Sequence, residues 1–318
     1  MARFLVTGGA GFIGSNLARA LVARGDQVRV YDTFLTGRRG NLADLPDVEI
    51  VEGDVRDLDG LRIAMRAVDR VFHQAALPSV ARSLKDPLAS NEANVTGTLN
   101  VLVAARDEGV RRVVCASSSS VYGDTPILPK VETMPPSPLS PYAVSKLSGE
   151  YYGAVFTRLF GVEAVSLRYF NVFGQFQDPS SDYAAVIPKF IAIMARGERP
   201  LIHGDGTQSR DFTYIDNVVQ ANLMAAEAPE VGGEAINIAC GARYTLLDLV
   251  GALNRILRTS IEPRFGDRRP GDVQHSLADI GKARRLLAYE PSVTFEEGLE
   301  RTVAWLRAAD DSAPLATR

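Results

Sequence analysis

A doubly wound α/β fold, built on a parallel sheet with a smaller mixed α/β part attached, is predicted by three observations. Short apolar strands alternate with amphipathic helices through the first two thirds of the chain. Several strands are apolar on both faces, and a glycine-rich turn joins the first strand to the first helix. Strands are predicted at 3–7, 27–31, 48–52, 70–73, 112–116 and 164–168, and helices at 12–24, 58–66, 88–108 and 141–159. Repeated strand–helix–strand units connect right-handedly and give parallel neighbours. Val113-Val114-Cys115-Ala116 is apolar throughout, as a strand covered on both sides requires.

Beyond residue 168 the pattern changes. Residues 171–182 are rich in Phe, Gly, Gln, Asp and Ser and read as a long functional loop. A helix at 186–196 and a strand at 201–203 follow. Helical spacing returns at 214–228, and a buried strand is predicted at 235–239. From Thr245 onward the chain reads as another helix, an arginine-rich loop and short helices at 280–287 and 295–308. The predicted division is 1–168 with 213–240 as a dinucleotide-binding domain and 169–212 with 241–308 as a substrate-binding domain. Residues 309–318 are expected to form a frayed tail. The proline-rich stretch 126–141 reads as a loop on the rim of the site.

With 318 residues the chain can bury a substantial core. Its 35 basic and 38 acidic side chains nearly cancel, which argues against nucleic acid as a partner. Arg264, Arg268 and Arg269 form a local basic spot, readable as a solvated loop or as a seat for one small anion. Cys115 and Cys240 lie in apolar segments and read as buried thiols. His73, His203 and His275 are isolated, so no metal site is expected. No leader or membrane span is read, and the cytoplasm is the expected location.

Two segments suggest chemistry. Thr7-Gly8-Gly9-Ala10-Gly11-Phe12-Ile13-Gly14 has the strand–turn–helix context of a dinucleotide site. Gly8 and Gly11 let the backbone approach a pyrophosphate, and Gly14 lets helix and strand pack closely. Asp32 ends the second strand, where a carboxylate accepts from ribose hydroxyls and repels a 2′-phosphate. NAD is therefore favoured, with Arg38 and Arg39 keeping NADP open. Asp54 places a second carboxylate near the adenine edge or is a plain turn residue. In Ser140-Pro141-Tyr142-Ala143-Val144-Ser145-Lys146, Ser140 can cap a helix and Pro141 suits its first position. Tyr142 and Lys146 then share one face, and the ammonium is expected to lower the pKa of the phenol.

Taken with His73-Gln74-Ala75-Ala76, Asn94-Val95-Thr96-Gly97-Thr98, Ser117–Gly123, Arg168–Gly174, Ser209-Arg210-Asp211-Phe212 and Pro270-Gly271-Asp272, these segments occur in the order of a known family. The chain resembles the extended short-chain dehydrogenases/reductases, of the UDP-hexose 4-epimerase type and its UDP-N-acetylglucosamine branch, over nearly its whole length. The resemblance implies a Rossmann-like fold, resident NAD, a UDP-sugar substrate and a homodimer through the helices at 88–108 and 141–159. It implies cofactor contacts at Gly8, Gly11, Phe12, Ile13, Gly14, Asp32, Asp54, Val55, Ala75, Ala76 and Asn94.

On the same resemblance Tyr142 is the base, Lys146 holds the nicotinamide ribose, and Ser118 bonds the sugar 4-oxygen. Asn171 contacts the diphosphate or sugar, Arg210 and Arg269 clamp the diphosphate, and Asp272 holds the uridine ribose. Ser119, Ser120 and Val186 are expected to line the sugar pocket. Related dehydratases carry Asp-Glu where this chain has Ser119-Ser120, so water elimination lacks its acid and base. Ser276 is small where a bulky residue excludes an N-acetyl group. That implies UDP-GlcNAc and UDP-GalNAc as preferred substrates, with UDP-Glc and UDP-Gal also turned over. A UDP-glucuronate 4-epimerase, another UDP-sugar oxidoreductase and a non-catalytic nucleotide-sugar sensor are the alternatives.

Overall fold

A computed structural model describes residues 2–179, 185–268 and 273–312. The chain starts with β1 (Arg3–Thr7), α1 (Phe12–Ala23) and β2 (Gln27–Asp32), and continues with β3 (Glu49–Glu52), α2 (Leu58–Met65) and β4 (Arg70–His73). Three helical pieces follow, α3 (Val80–Lys85), α4 (Pro87–Asn91) and α5 (Gly97–Asp107), the last two joined by a π-turn at Glu92–Thr96. Then come β5 (Arg112–Ser118), α6 (Pro141–Phe160) and β6 (Glu163–Tyr169). One further strand of this layer, from later in the chain, is Ala235–Ile238. The seven strands are parallel, and this late strand pairs with β6 at one edge while β3 forms the other.

From β1 the chain winds outward through β2 and β3, then returns to add β4, β5 and β6 on the opposite side of β1. The direction of winding therefore reverses between β1 and β4, and a crevice opens beyond their carboxyl ends. Side chains alternate across the sheet. Phe4, Val6, Phe72 and Val114 pack with Leu17 and Leu21 of α1 on one face. Leu5, Val71, Val113 and Cys115 pack with Leu61, Leu102 and Phe156 on the other. Both faces are dry, which is why these strands read as continuous apolar runs.

The smaller elements are β7 (Val172–Phe173), α7 (Val186–Ala195), β8 (Leu201–His203), β9 (Ser209–Arg210), β10 (Thr213–Tyr214) and α8 (Ile215–Glu227). After α8 the strand Ala235–Ile238 is β11, followed by β12 (Tyr244–Thr245), α9 (Leu246–Leu257), β13 (Arg264–Gly266), α10 (Gly281–Leu287) and α11 (Phe295–Ser312). Three two-stranded ladders join β10 to β7, β12 to β9 and β13 to β8.

The structure departs from the expectations in several places. The helix expected at 88–108 is broken by the π-turn. There the Thr98 hydroxyl donates to the Asn94 carbonyl at 2.6 Å, and the Asn94 amide is drawn away to Leu77. The loop expected at 171–182 contains β7, and the arginine-rich loop contains β13; both strands are too short for periodicity to show. The last helix runs to Ser312, four residues past its expected end. Cys240 is half-buried rather than buried, near Asn217.

His73, at the end of β4, explains one property of the core. Thr98 uses its proton on Asn94, so its oxygen accepts from His73 Nε2 at 2.9 Å, and Nδ1 accepts from Thr7 at 2.8 Å. Burial, with a contribution from the Lys146 charge, pushes His73 down to about 3 from 6.5. The unfolded chain therefore binds a proton that the folded chain refuses. Stability is full above about pH 6.5 and falls by roughly 1.4 kcal/mol per pH unit as pH drops toward about 3. His73→Asn should flatten that portion of the melting temperature–pH profile, measured against the unaltered chain.

Candidate active site

The crevice is a cleft of about 1150 Å³. One end is lined by Asp32–Arg38 and Asp54–Arg56, and its floor is Gly8, Gly11, Phe12, Ile13 and Gly14. The other end holds Ala75, Ala76, Tyr142 and Lys146, while Phe176, Asp178 and Trp305 cover the side. The floor leaves room for backbone alone. A Cβ on Gly8 would lie 2.6 Å from the Ala75 nitrogen, and one on Gly14 would lie 2.2 Å from the Gly8 carbonyl. Gly8 also has φ +69°, which favours glycine. No side chain caps the first turn of α1, so its leading amides point into the cleft with the positive end of the helix dipole. These are the requirements of a bound pyrophosphate.

Asp32 is held rigidly by the amides of Ala10 at 2.9 Å and Phe34 at 2.8 Å. Arg38 is paired with Asp178 and Arg39 with Glu52, so both are occupied by carboxylates. The Asp54 carboxylate is bonded by Arg56, whose guanidinium holds it below the usual range. Arg56 escaped the sequence reading because a single arginine beside a turn carries no pattern. Asn94 does not line the cleft. Its side-chain amide holds both Leu77 backbone groups at 2.7 and 3.1 Å, and it donates to Ser145 on α6 at 3.1 Å. It thus shapes the wall behind Ala75–Leu77.

At the chemical end, Ser140 caps α6 by accepting from the Ala143 amide at 3.1 Å, with Pro141 in the first turn. Tyr142 and Lys146 project from the same face into the cleft. The expected depression of the phenol is not found. Burial raises the pKa of Tyr142, and only the Ser118 hydroxyl opposes it. Lys146 lies 5.9 Å from the centre of the Tyr142 ring and donates to the Ala116 carbonyl at 2.9 Å. Burial brings Lys146 itself down to about 8. The spacing was read correctly, but the cation is directed at β5 and not at the phenol.

Of the expected substrate residues Tyr142 lines this cleft, whereas Ser118, Ser119, Ser120, Asn171, Val186, Arg210 and Ser276 do not. Ser118 ends β5 and accepts from the Ser120 amide at 3.2 Å, starting a 3-10 turn at Ser119–Tyr122. The Ser120 hydroxyl is buried with no partner among the described residues. Asn171 has φ 35° and donates to the Asp211 carbonyl at 3.4 Å. Arg210 donates to Ser209 and Gln274 carbonyls at 3.0 and 3.3 Å, and the Ser276 amide donates to the Ser209 carbonyl at 3.0 Å, so Ser209 links Arg210 to Ser276. Val186 opens α7 and is half-buried. Arg269 and Asp272 lie outside the described residues. Asp211 was not singled out beyond its motif. Its buried carboxylate accepts from the amides of Cys240, Gly241 and Ala278, and so ties β9 and β10 to the end of β11.

Residues 4–239 match the family model described as "NAD dependent epimerase/dehydratase family". The chain belongs to this NAD-dependent epimerase/dehydratase family. A putative UDP-glucose 4-epimerase of Methanocaldococcus jannaschii is 38% identical over 95% of this chain and 98% of its own. The UDP-N-acetylglucosamine 4-epimerase of Methanobrevibacter ruminantium, solved with UDP-N-acetylmuramic acid, superposes with a TM-score of 0.93 at 40% identity, covering 97% and 99% of the two chains. The UDP-glucuronic acid 4-epimerase of Bacillus cereus, solved with UDP-glucuronic acid and NAD, gives a TM-score of 0.90 at 34% identity over 96% and 99%. NAD is the family's cofactor, and the glycine floor with its uncapped helix end fits it. Among the described residues no helix is long and apolar enough to cross a membrane.

Proposed function

We propose that the protein interconverts the C4 epimers of UDP-hexoses, with UDP-GlcNAc and UDP-GalNAc preferred and UDP-Glc and UDP-Gal also accepted. The observation that carries this reading is the makeup of the chemical end. Tyr142 and Ser118 sit within reach of one another, and the next two positions are the hydroxyls Ser119 and Ser120. Such a site handles a proton at one carbinol and offers no carboxylic acid to drive elimination.

NAD would be held by the Gly8–Gly14 turn, Asp32 and Asp54, with its ribose at Tyr142 and Lys146; when bound, it supplies a hydride acceptor and a positive ring near the phenol. Tyr142 takes the proton of the sugar 4-hydroxyl, helped by a hydrogen bond from Ser118, and later returns a proton to the 4-keto oxygen as C4 is reduced from its opposite face. Lys146 has N–H donors beyond the one spent on Ala116, enough to orient a ribose. Arg210, joined by Arg269 from the sequence, anchors the diphosphate while the 4-keto sugar turns over. The unpartnered Ser120 hydroxyl is a ready donor for a sugar oxygen. Residues 1–168 with 213–240 are assigned to the dinucleotide and 169–212 with 241–308 to the UDP-sugar.

The test is an assay of purified protein with the four UDP-hexoses and UDP-glucuronate. Exchange at C4 of the N-acetylated pair is expected to be fastest, and no exchange with any hexose would sink the proposal. Ser276 is buried and small. Ser276→Tyr should slow the N-acetylated substrates by about tenfold or more, the scale of a lost pocket methyl-sized fit, and spare UDP-glucose. Equal slowing of both would remove Ser276 as the gate.

The homodimer is proposed on the outer face of α6. Val144, Tyr151, Val155 and Leu159 form one exposed apolar stripe, and Leu84 and Leu88 lie exposed on the neighbouring short helices. Tyr151→Glu should convert a dimer to a monomer in light scattering, and a chain already monomeric before substitution would count against it.

A further inference from the structure

Successive residues at the end of β5 meet α6 at positions one turn apart. The Ala116 carbonyl accepts from Lys146 at 2.9 Å. The next residue, Ser117, donates its hydroxyl to Glu150. The residue after that, Ser118, acts on the Tyr142 phenol. Tyr142, Lys146 and Glu150 repeat every four residues and therefore share a face of the helix. Strand and helix are thus linked by three rungs, of which two are structural and the third is the proposed chemistry.

Glu150 cannot wander. Arg168 on β6 grips it with two bonds of 2.9 and 2.7 Å, and each side chain is only 5% exposed. The remaining guanidinium nitrogen donates to the Tyr122 hydroxyl at 2.8 Å, and that hydroxyl donates to Asn237 on β11 at 2.7 Å. Tyr122 closes the 3-10 turn that Ser118 opens. The network therefore grips the Ser118–Ser120 segment at both ends, through Ser117 before it and Tyr122 after it. Burial works against the Arg168 charge, but the bonds to Glu150 outweigh it and keep the guanidinium protonated. An apolar trio of similar volume could fill this space without desolvating two charges. It could not supply directional bonds to Ser117 and Tyr122.

We propose that Glu150, clamped by Arg168 and bonded to Ser117, is a positioning residue that sets the separation of Ser118 from Tyr142. This rests on the Tyr142–Ser118 chemistry proposed above. When the Ser117 rung is lost, the end of β5 shifts and Ser118 loosens its hold on the phenol. That hydroxyl is what lowers Tyr142, so its pKa climbs and less phenolate is present at neutral pH. The rate falls, and the acid limb of the kcat profile moves to higher pH.

The experiment compares Ser117→Ala, Ser117→Thr and Glu150→Gln, each as NAD-loaded protein, by kcat, KM, the pH profile of kcat, melting temperature and a crystal structure. Ser117→Ala should lower kcat by roughly ten- to a hundredfold with KM within about twofold, and should lengthen the Ser118–Tyr142 distance. The threonine variant keeps the hydroxyl and should restore both rate and profile. Glu150→Gln leaves Arg168 without its counter-charge and is expected to lose stability as well. Should it fail to fold, the serine pair decides the question. A Ser117→Ala protein with unaltered kcat and pH profile, whatever its melting temperature, overturns the proposal, as does a threonine variant as slow as the alanine one. Tyr142→Phe serves as the control. If it is inert while Ser117→Ala is normal, the positioning role alone falls; if it is fully active, the proposed chemistry falls first.

Discussion

Tyr142→Phe should lower kcat for the preferred UDP-hexose by about two to four orders of magnitude, the range of a lost general base. KM should change little, because the phenol is asked to act in the transition state and not to bind the sugar. The fold should survive. Tyr142 is half-buried, and burial raises its pKa with only Ser118 opposing, so removing the hydroxyl strands no strong partner. Bound NAD, measured by mass after denaturation, should remain close to stoichiometric. Turnover within a few-fold of the unaltered protein would disprove the role of Tyr142. A protein that had also shed its cofactor would show that the loss came through binding.

Gly14→Ala should have the largest effect on cofactor retention. The added carbon would sit 2.2 Å from the Gly8 carbonyl oxygen and 2.7 Å from Gly9 Cα, and both obstacles are backbone. No side-chain rotation relieves that clash, so the turn itself must move. It is pinned from behind, since Gly8 already lies against the Ala75 backbone at the end of β4. Alanine gains about 1 kcal/mol of helix propensity, but forced repacking costs about 1–3 kcal/mol. The net is a lower melting temperature and NAD binding weakened by roughly tenfold or more. Gly40→Ala is the matched control, because a Cβ there meets nothing within 4 Å. Normal NAD content in Gly14→Ala would show that the pyrophosphate does not depend on this turn.

The short motifs were legible because each depends on its neighbours in sequence. The cap at Ser140, the four-residue spacing of Tyr142 and Lys146, and the bare backbone of Gly8–Gly14 are local properties. The alternation that implied a parallel sheet is likewise local, since a strand buried on both faces must be apolar at every position. Glu150 could also have been found, because it continues the spacing of Tyr142 and Lys146 by one more turn. It was passed over because a glutamate on a helix ordinarily faces water.

What lay beyond the sequence was decided by distance through space. Whether Lys146 would bear on the phenol or on β5 depends on how closely α6 packs against residue 116, and packing chose β5. At the π-turn Glu92–Thr96 it is Leu77, 17 residues away, that holds the Asn94 side chain. The pairing of Glu150 with Arg168 needs α6 and β6 folded against one another, with water nearly shut out. From its own order of residues, the chain determined the sheet, the dinucleotide turn and the shared helix face of Tyr142 and Lys146, because those follow from short-range sterics and hydrophobic period. Tertiary structure alone decided proton affinities and the aim of each charged group, because desolvation and electrostatic partners are set by atoms remote in sequence.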